Sequence, residues 1–310
     1  MINFEAFVEL VKEEIKNWLP DKFKNAEVSI EKVKKTNDVE RVGLMIRTNR
    51  NIAPNIYLEV FYKMYQNGNS IKDILKEIAQ IRVDLEADED INVTDLMDFE
   101  KCKDQIFPQL ISAEWNQEQL HKRPHMIKDD LAIVFYMHLQ DSPDGEANMR
   151  ITNDHLHMWH TTSNELYDLA IKNLTESKTG VFASMTSVMD ELMHPTMVRE
   201  DAKTVGYKLC EPSDSECECM YIVTNKSKLN GASVLLDQKF MNTVRCLLKC
   251  DFYILPSSIH ECIIVPVTAD VTVRALKKMV KEVNATKVTV EERLSDSVYT
   301  YNIDCGLMLA

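Results

Sequence analysis

Apolar residues recur at helical spacing in three segments of the first 100 residues. The first segment is amphipathic from Phe4 to Trp18 and ends before Pro20. The other two segments cover Ile56–Gln66 and residues 71–81. The pattern therefore predicts three helices in this part of the chain.

Two short strands are predicted between the first and second of these helices. Ala26–Lys34 alternates apolar with charged residues, and Val42–Ile46 is a second apolar run. Asn37 and Asp38 lie between them and are typical turn residues. Residues 1–100 are therefore predicted to form a helix-rich α+β unit.

An acidic connection, Asp84–Glu100, leads to a part of the chain that is richer in strands. Strands are predicted at Gln105–Ser112, Asp130–His138, Met220–Thr224, Ser233–Leu236, Phe252–Leu255, Ile259–Val265, Val288–Glu291 and Val298–Asn302. Helices are predicted at Ala113–His121, 163–174, Phe182–Met193, Gln238–Lys249 and Val271–Val283. A turn is expected at Ser142–Gly145 and a polar loop at Ser213–Glu218.

The strands come in neighbouring pairs and do not alternate regularly with helices. This order predicts an α+β fold with mainly antiparallel sheet pairs and packed helices. We expect two units in one chain, residues 1–100 and residues 101–310.

The net charge of the chain limits the kinds of partner that it is expected to bind. The 310 residues include 36 Lys and Arg against 49 Asp and Glu, a net charge of -13 with a pI near 5.1. Binding to nucleic-acid backbones requires clustered positive charge, so the composition argues against direct nucleic-acid binding. The longest strongly apolar run, Leu131–Leu139, is shorter than the ~20 residues of a membrane span. No signal peptide is evident, and we expect a cytoplasmic protein with no membrane contact.

Glycine and cysteine spacing exclude several further classes. No two of the seven glycines lie within 20 residues of each other, which excludes Walker A loops, dinucleotide fingerprints and the GxSxG nucleophile elbow. The eight cysteines are expected to be reduced thiols. Cys217 and Cys219, with Cys210 upstream, do not form the two spaced pairs that are typical of zinc sites. We assign no cofactor and no metal to the chain.

His155, His157 and His160 have the spacing closest to a metal site in this sequence. Trp159 occupies the position where a metallo-hydrolase HxHxDH pattern requires aspartate. We interpret the segment as a short helix that packs Leu156, Met158 and Trp159 inward. Whether the three histidines bind a metal is left open.

The polar residues inside the segment Asp251–Pro266 (DFYILPSSIHECIIVP) are the main candidates for a functional site. Two apolar runs flank Ser257, Ser258, His260 and Glu261, as in a hairpin. On a strand, His260 and Glu261 would point to opposite faces, which argues against a triad built from these residues alone. Position 264 is Ile, so the zincin pattern HExxH is absent. A ligand-binding turn and a purely structural turn both remain open.

Three longer stretches resemble a known family: Asn51–Gly68 (NIAPNIYLEVFYKMYQNG), Ile151–Leu174 (ITNDHLHMWHTTSNELYDLAIKNL) and Thr224–Pro266. Together they resemble a bacterial family of unknown function, domain of unknown function 5688, over at least Phe4 to Pro266. The resemblance implies a cytoplasmic bacterial protein, often from a mobile-element or phage context, and it implies no chemistry or cofactor. Family members tend to have glycine at the position of His160 and an aliphatic residue at that of Cys262.

We therefore expect a non-catalytic interaction or regulatory protein that binds a protein or a small-molecule ligand. The predicted contact residues are Ser257, Ser258, His260 and Glu261. The first alternative is a hydrolase with a site assembled around His260 and Glu261. A weaker alternative is an acidic decoy that occupies the nucleic-acid channel of a partner.

Overall fold

Three separate sheets and a set of packed helices make up the fold of the computed structural model, which confirms the predicted α+β class. The structure describes residues 2–51, 53–86, 90, 92–142, 145–193, 206–212, 220–268 and 270–310. The α-helices of this part of the chain are α1 (Phe4–Glu14), α2 (Leu58–Gln66), α3 (Ile71–Asp84), α4 (Val93–Met97), α5 (Phe99–Cys102), α6 (Gln117–Leu120), α7 (Asn153–Trp159), α8 (Ser163–Ser177), α9 (Met185–Met193), α10 (Gln238–Leu248) and α11 (Val273–Thr286). The strands are β1 (Glu27–Lys34), β2 (Glu40–Arg47), β3 (Asn55–Tyr57), β4 (Ile106–Ser112), β5 (His125–Lys128), β6 (Leu131–Ser142), β7 (Gly145–Arg150), β8 (Gly180–Ser184), β9 (Lys208–Leu209), β10 (Tyr221–Asn225), β11 (Phe252–Pro256), β12 (Cys262–Pro266), β13 (Tyr299–Asn302) and β14 (Gly306–Leu309).

The chain divides into two compact units. Unit 1 contains the described residues of 1–35, 39–94 and 141–145, and unit 2 contains those of 36–38, 95–140 and 146–310. The division at residue 100 that the sequence suggests stays a prediction. The acidic connection and the Ser142–Gly145 turn lie partly, and the Ser213–Glu218 loop wholly, outside the described residues.

Unit 1 packs three helices against the antiparallel sheet β1-β2-β3. Apolar residues of the three helices and of β2 form the centre of its core: Phe7, Val11, Leu44, Ile46, Leu58, Phe61, Ile74 and Ile78. The buried Arg82 of α3 donates from Nε to the Ile46 carbonyl at 3.0 Å and pairs with Glu86. The predicted turn at Asn37 and Asp38 is confirmed, since both residues have positive φ angles, 60° and 51°.

A seven-stranded sheet in the order β14-β13-β11-β12-β10-β8-β9 organises unit 2. All its pairs are antiparallel except β8 with β9. On one face, Leu255 and Val265 pack against Leu276 and Val280 of α11. Residues of the other face join the main core with α10, α8 and a buried 3-10 helix at Gly231–Leu236.

A smaller antiparallel sheet, β4-β6-β5 with β7 beside β6, completes unit 2. Helix α8 packs on β4, and Asn173 of α8 donates to the carbonyls of Lys103 and Ile106 at 2.8 and 2.9 Å. Thr162 caps α8 through a reciprocal capping box with Glu165.

Three predicted elements of unit 2 were wrong in type. Phe182–Met193 is not one helix: Gly180–Ser184 is strand β8, which pairs with β10, and helix α9 starts only at Met185. Ser233–Leu236 is part of the 3-10 helix rather than a strand. Short apolar runs bury equally well in either geometry, so their pattern does not decide between them.

The third element is Val288–Glu291, which is not a strand, and a 3-10 helix forms at Val290–Glu292 instead. Two predicted boundaries also moved. Helix α2 begins two residues later than predicted, because Asn55–Tyr57 pairs with β2. Strand β12 begins at Cys262, three residues after the predicted start at Ile259.

Candidate functional site

The predicted site residues lie in the loop that joins β11 to β12. Pro256 faces Cys262 in the hairpin register, so the loop comprises Ser257 to Glu261. The late start of β12 places His260 and Glu261 outside the strand. This placement removes the basis for the expectation that strand alternation points the two side chains to opposite faces, because strand geometry starts only at Cys262.

His260 is the most firmly positioned residue of this loop. Its Nδ1 accepts a hydrogen bond from the backbone N–H of Asn230 at 3.1 Å. Its carbonyl accepts from Thr224 Oγ1 at 2.7 Å, and its own N–H donates to Ser258 Oγ at 3.0 Å. The imidazole is thus fixed by backbone groups and has no carboxylate hydrogen-bonded to it among the described residues.

This hydrogen bond determines the tautomer of His260. Since Nδ1 is an acceptor, the proton of the neutral ring lies on Nε2, which has no partner within the described part of the chain. Burial lowers the pKa of His260 below its usual range, and the nearby charges of Glu292 and Glu261 oppose that shift. At neutral pH the ring is therefore neutral and presents Nε2–H as a donor.

The two serines and Glu261 are engaged inside the loop. Ser258 N donates to the Glu261 carbonyl at 3.1 Å, and Ser257 Oγ lies 3.5 Å from Glu261 Oε1, at the limit of a hydrogen bond. Ser258 Oγ accepts from His260 N. Between described residues, neither serine hydroxyl is hydrogen-bonded to the imidazole, as a nucleophile and base pair would be.

The turn at Asn230 and Gly231, about 30 residues earlier in the sequence, contacts the loop of Ser257 to Glu261 on one side. Asn230 has a left-handed backbone (φ 53°) and starts the 3-10 helix, and Ala232 N donates to the Ile259 carbonyl at 3.2 Å. A Cβ on Gly231 would overlap with the His260 carbonyl and Thr224 Oγ1, and would lie 2.8 Å from Asn225 N. Only glycine allows this close approach of the two backbones.

The contribution of Thr224, Asn230 and Gly231 to the site was missed in the sequence. The Asn-Gly dipeptide predicts a turn, and that turn is present. Its contact with a loop 30 residues further along the chain follows from the pairing of β10 with β12. No local pattern in a single sequence encodes that pairing.

A buried thiol and a polar network lie at the base of the hairpin. Cys262 is fully buried, and burial strongly raises the pKa of its thiol, so it is not a reactive nucleophile. Nearby, the Tyr299 hydroxyl donates to Asp130 Oδ1 at 2.6 Å, and Ser295 Oγ donates to Asp130 Oδ2 at 2.8 Å. These contacts anchor β13 and have a structural role.

The histidines of α7 have different environments. His155 Nδ1 lies 3.1 Å from Thr152 N and 2.7 Å from Thr152 Oγ1, so it caps its own helix. His157 is exposed, and His160 ends the helix in a left-handed conformation (φ 52°). Among the residues that the structure describes, no group of three or more His, Cys, Asp or Glu side chains is arranged to hold a metal ion. Cys217 and Cys219 fall outside those residues.

The predicted packing of α7 holds in part. Trp159 is buried and donates from Nε1 to the Leu96 carbonyl at 3.0 Å, and Leu156 packs on the main core. Met158 was expected to point inward, but it is exposed. The helix spans only seven residues, so Met158 falls outside the narrow arc that contacts the core.

The geometry defines an α+β protein with a rigid polar hairpin loop clamped by a second turn. The model of one family matches residues 4–303 of the chain, and the chain belongs to that family, the family of unknown function DUF5688. No curated protein and no solved structure matches the chain. Within the described residues, the helices are too short or too polar to cross a membrane.

Proposed function

We propose that the protein is a non-catalytic, cytoplasmic interaction protein that binds an acidic protein partner through helix α11. The observation that carries the proposal is the exposed surface of this helix, which has one stripe of cations and a separate stripe of apolar side chains. A mobile-element or phage origin, and contacts through the loop Ser257, Ser258, His260 and Glu261, belong to the same proposal.

Two separate stripes of exposed side chains run along α11. Arg274, Lys278 and Lys281 recur at i, i+4 and i+7 and are exposed. Met279 and Val283 form the second stripe, roughly 100–180° around the helix from the cations and beside its buried side, and are 50% and 39% exposed. The side of the helix opposite the cations packs against the sheet, and Leu276 and Val280 are buried there.

The cations of this face are available for a partner. No carboxylate of the described residues forms an ion pair with Arg274, Lys278 or Lys281, whereas many other basic side chains of the protein do form such pairs. A concentration of free positive charge in a chain of net charge -13 is complementary to an acidic surface. The exposed Met and Val side chains supply the apolar contact that gives such an interface its affinity.

The candidate loop supports binding rather than catalysis. Its imidazole, hydroxyls and carboxylate are held by backbone contacts and by one another. The donor that remains without a partner among the described residues is Nε2–H of His260.

Zero-length carbodiimide cross-linking in an extract of the native host tests this proposal, because it joins lysine amines directly to carboxylates. We expect Lys278 or Lys281 to be linked to an Asp or Glu of one partner, with the yield falling as salt is raised. The variant R274E/K278E/K281E should lose this product. The control K16E/K24E/K72E makes the same change of charge at three exposed lysines of unit 1 and should retain it. Equal cross-linking by both variants would refute docking on α11.

A further inference from the structure

Two Asn-Gly dipeptides occur in the sequence, Asn67-Gly68 and Asn230-Gly231. An asparagine that is followed by glycine is chemically labile, because glycine has no Cβ to shield its backbone nitrogen from the asparagine side chain. The two dipeptides have opposite environments in the structure. This contrast determines which of the two asparagines can react.

Asn67-Gly68 lies in the turn between α2 and α3 and is open to solvent. Asn67, Gly68 and the following Asn69 are all exposed. Gly68 has a φ of 96°, and a Cβ built on it would have no described atom other than those of its chain neighbours within 4 Å. The side-chain amide of Asn67 has no hydrogen-bond partner among the described residues. The Asn67 side chain is therefore free to change its rotamer.

Backbone hydrogen bonds of the helix end hold this turn. The Gly68 N–H donates to the Tyr65 carbonyl at 3.0 Å, and the Asn69 N–H donates to the Met64 carbonyl at 3.1 Å. The ψ of Asn67 is 5°, so the Gly68 nitrogen has to rotate away from this position before it can approach Cγ of Asn67. Exposed helix ends fray and open locally at little cost, so the reactive geometry is accessible in the folded protein.

Asn230-Gly231 is held on both sides. The Asn230 N–H donates to His260 Nδ1 at 3.1 Å, and Asn230 Oδ1 accepts from Gln109 Nε2 at 2.8 Å. Gly231 is buried, and even a Cβ at this position would overlap with the His260 carbonyl. Rotation of the Gly231 nitrogen towards the Asn230 side chain would break these hydrogen bonds and move the backbone into its neighbours. The fold therefore opposes the reaction at this dipeptide.

We propose that Asn67 is a site of spontaneous deamidation, with water as the co-reactant, and that the fold protects Asn230 from the same reaction. The Gly68 nitrogen loses its proton to base and attacks Cγ of Asn67. An N–Cγ bond forms, the Cγ–Nδ2 bond breaks, and the side-chain nitrogen leaves as ammonia with a proton from solvent. Water then opens the succinimide at either carbonyl and gives aspartate or isoaspartate.

Both products alter the end of α2. Each adds a carboxylate at the carboxyl end of the helix, where the helix dipole disfavours negative charge. Isoaspartate also adds one carbon to the backbone, which displaces the Gly68 and Asn69 N–H groups from their acceptors. The turn into α3 should therefore loosen as the protein ages. This inference is independent of the proposed function, because it concerns covalent chemistry of the chain and requires no partner.

Peptide mapping by mass spectrometry tests the proposal on the full-length protein, incubated at pH 8 and sampled over several days. Asn67 should react at least about tenfold faster than Asn230, because Asn230 has to lose two hydrogen bonds before it can react. Both isoaspartate and aspartate should appear at position 67, and the rate should fall at pH 6. In concentrated urea the two dipeptides should react at similar rates, since the fold no longer protects Asn230.

Asn69 is the internal control, because it lies in the same exposed turn but is followed by Ser70, whose side chain hinders attack by its own nitrogen. It should react more slowly than Asn67. The variant N67Q lengthens the side chain and prevents closure of the succinimide ring. Its Tm should stay constant during the incubation, whereas the Tm of the unchanged protein should fall.

Four results would overturn the proposal. They are equal rates at Asn67 and Asn230 in the folded protein, a rate at Asn67 no higher than at Asn69, aspartate as the sole product at position 67, and a difference between the two dipeptides that persists in urea. A Tm of the deamidated protein that stays as constant as that of N67Q would contradict the loosening of the turn.

Discussion

Replacement of His260 tests whether the candidate loop is built as described. His260→Ala removes the acceptor of the Asn230 N–H, and the ring that is half-buried between the loop and the Asn230 turn. His260→Asn places an amide oxygen close to the position of Nδ1 and can keep that hydrogen bond. The two variants therefore separate the hydrogen bond from the rest of the side chain.

The expected magnitudes follow from these contacts. An unsatisfied, partly buried N–H costs about 1–3 kcal/mol, and loss of the half-buried ring adds about 1 kcal/mol. His260→Ala should therefore destabilise the protein by about 2–4 kcal/mol, which lowers Tm by roughly 4–16 °C in a unit of this size. His260→Asn should cost about 1 kcal/mol or less.

The same pair of proteins predicts a pH dependence. Burial lowers the pKa of His260 in the folded state, while the unfolded chain takes up a proton near pH ~6.5. The stability that the neutral ring contributes is thus complete above pH ~6.5 and is lost as the pH falls towards the folded-state pKa. On going from pH 7.5 to pH 5.5, the Tm of the unchanged protein should fall relative to the Tm of His260→Asn.

Differential scanning fluorimetry and urea unfolding followed by tryptophan fluorescence measure both effects. Equal destabilisation by Ala and Asn would show that the bond from Asn230 contributes little. A difference in Tm between the unchanged protein and the Asn variant that does not vary with pH would show that the folded state does not hold the ring neutral.

Three further predictions concern the surroundings of this loop. Gly231→Ala should lower stability by about 1–3 kcal/mol or prevent folding, because the new Cβ overlaps with the His260 carbonyl. Since each kcal/mol lowers Tm by roughly 2–4 °C, a Tm within 2 °C of that of the unchanged protein would contradict this. Tyr299→Phe should cost about 1–3 kcal/mol in urea unfolding, since it removes the donor to the half-buried Asp130 carboxylate, and a neutral effect would show that Ser295 alone satisfies that carboxylate. In native protein at pH 8, maleimide labelling mapped by mass spectrometry should modify the exposed Cys246 and Cys305 and spare Cys102 and Cys262. The reason is that burial raises the pKa of Cys102 to about 11 and raises that of Cys262 further. Rapid modification of Cys262 would disprove its buried position at the base of the hairpin.

Elements with long, clear periodicity were predictable from the sequence. The amphipathic stripe of α3 and the hairpin of β1 and β2 were found because each repeats its apolar spacing over several turns or residue pairs. The hairpin of β11 and β12 was also found, although β12 starts later than its β-branched residues suggest. Ile259 continues the apolar pattern of β12 towards its start. It lies outside the strand because its N–H donates to the Glu292 carbonyl, and the next residue, His260, accepts from the Asn230 N–H.

Only one side of the candidate site could be predicted from the sequence. Its hairpin side is contiguous in the sequence, whereas its clamp comes from Thr224, Asn230 and Gly231. Long-range pairing of this kind cannot be deduced from local composition.

The strand order of the large sheet has a consequence for biosynthesis. Strand β11 lies between β12 and β13, but β13 and β14 are translated after α11, at Tyr299–Asn302 and Gly306–Leu309. The roughly 50 residues between Pro256 and Leu309 take about 3–10 s to translate at 5–20 residues per second. For that interval the apolar edge of Phe252–Pro256 has no neighbour on one side, which makes the nascent chain prone to edge-to-edge aggregation. Slower translation should lengthen this exposure, so the yield of native protein should depend on chaperone supply more than the stability of the finished fold suggests.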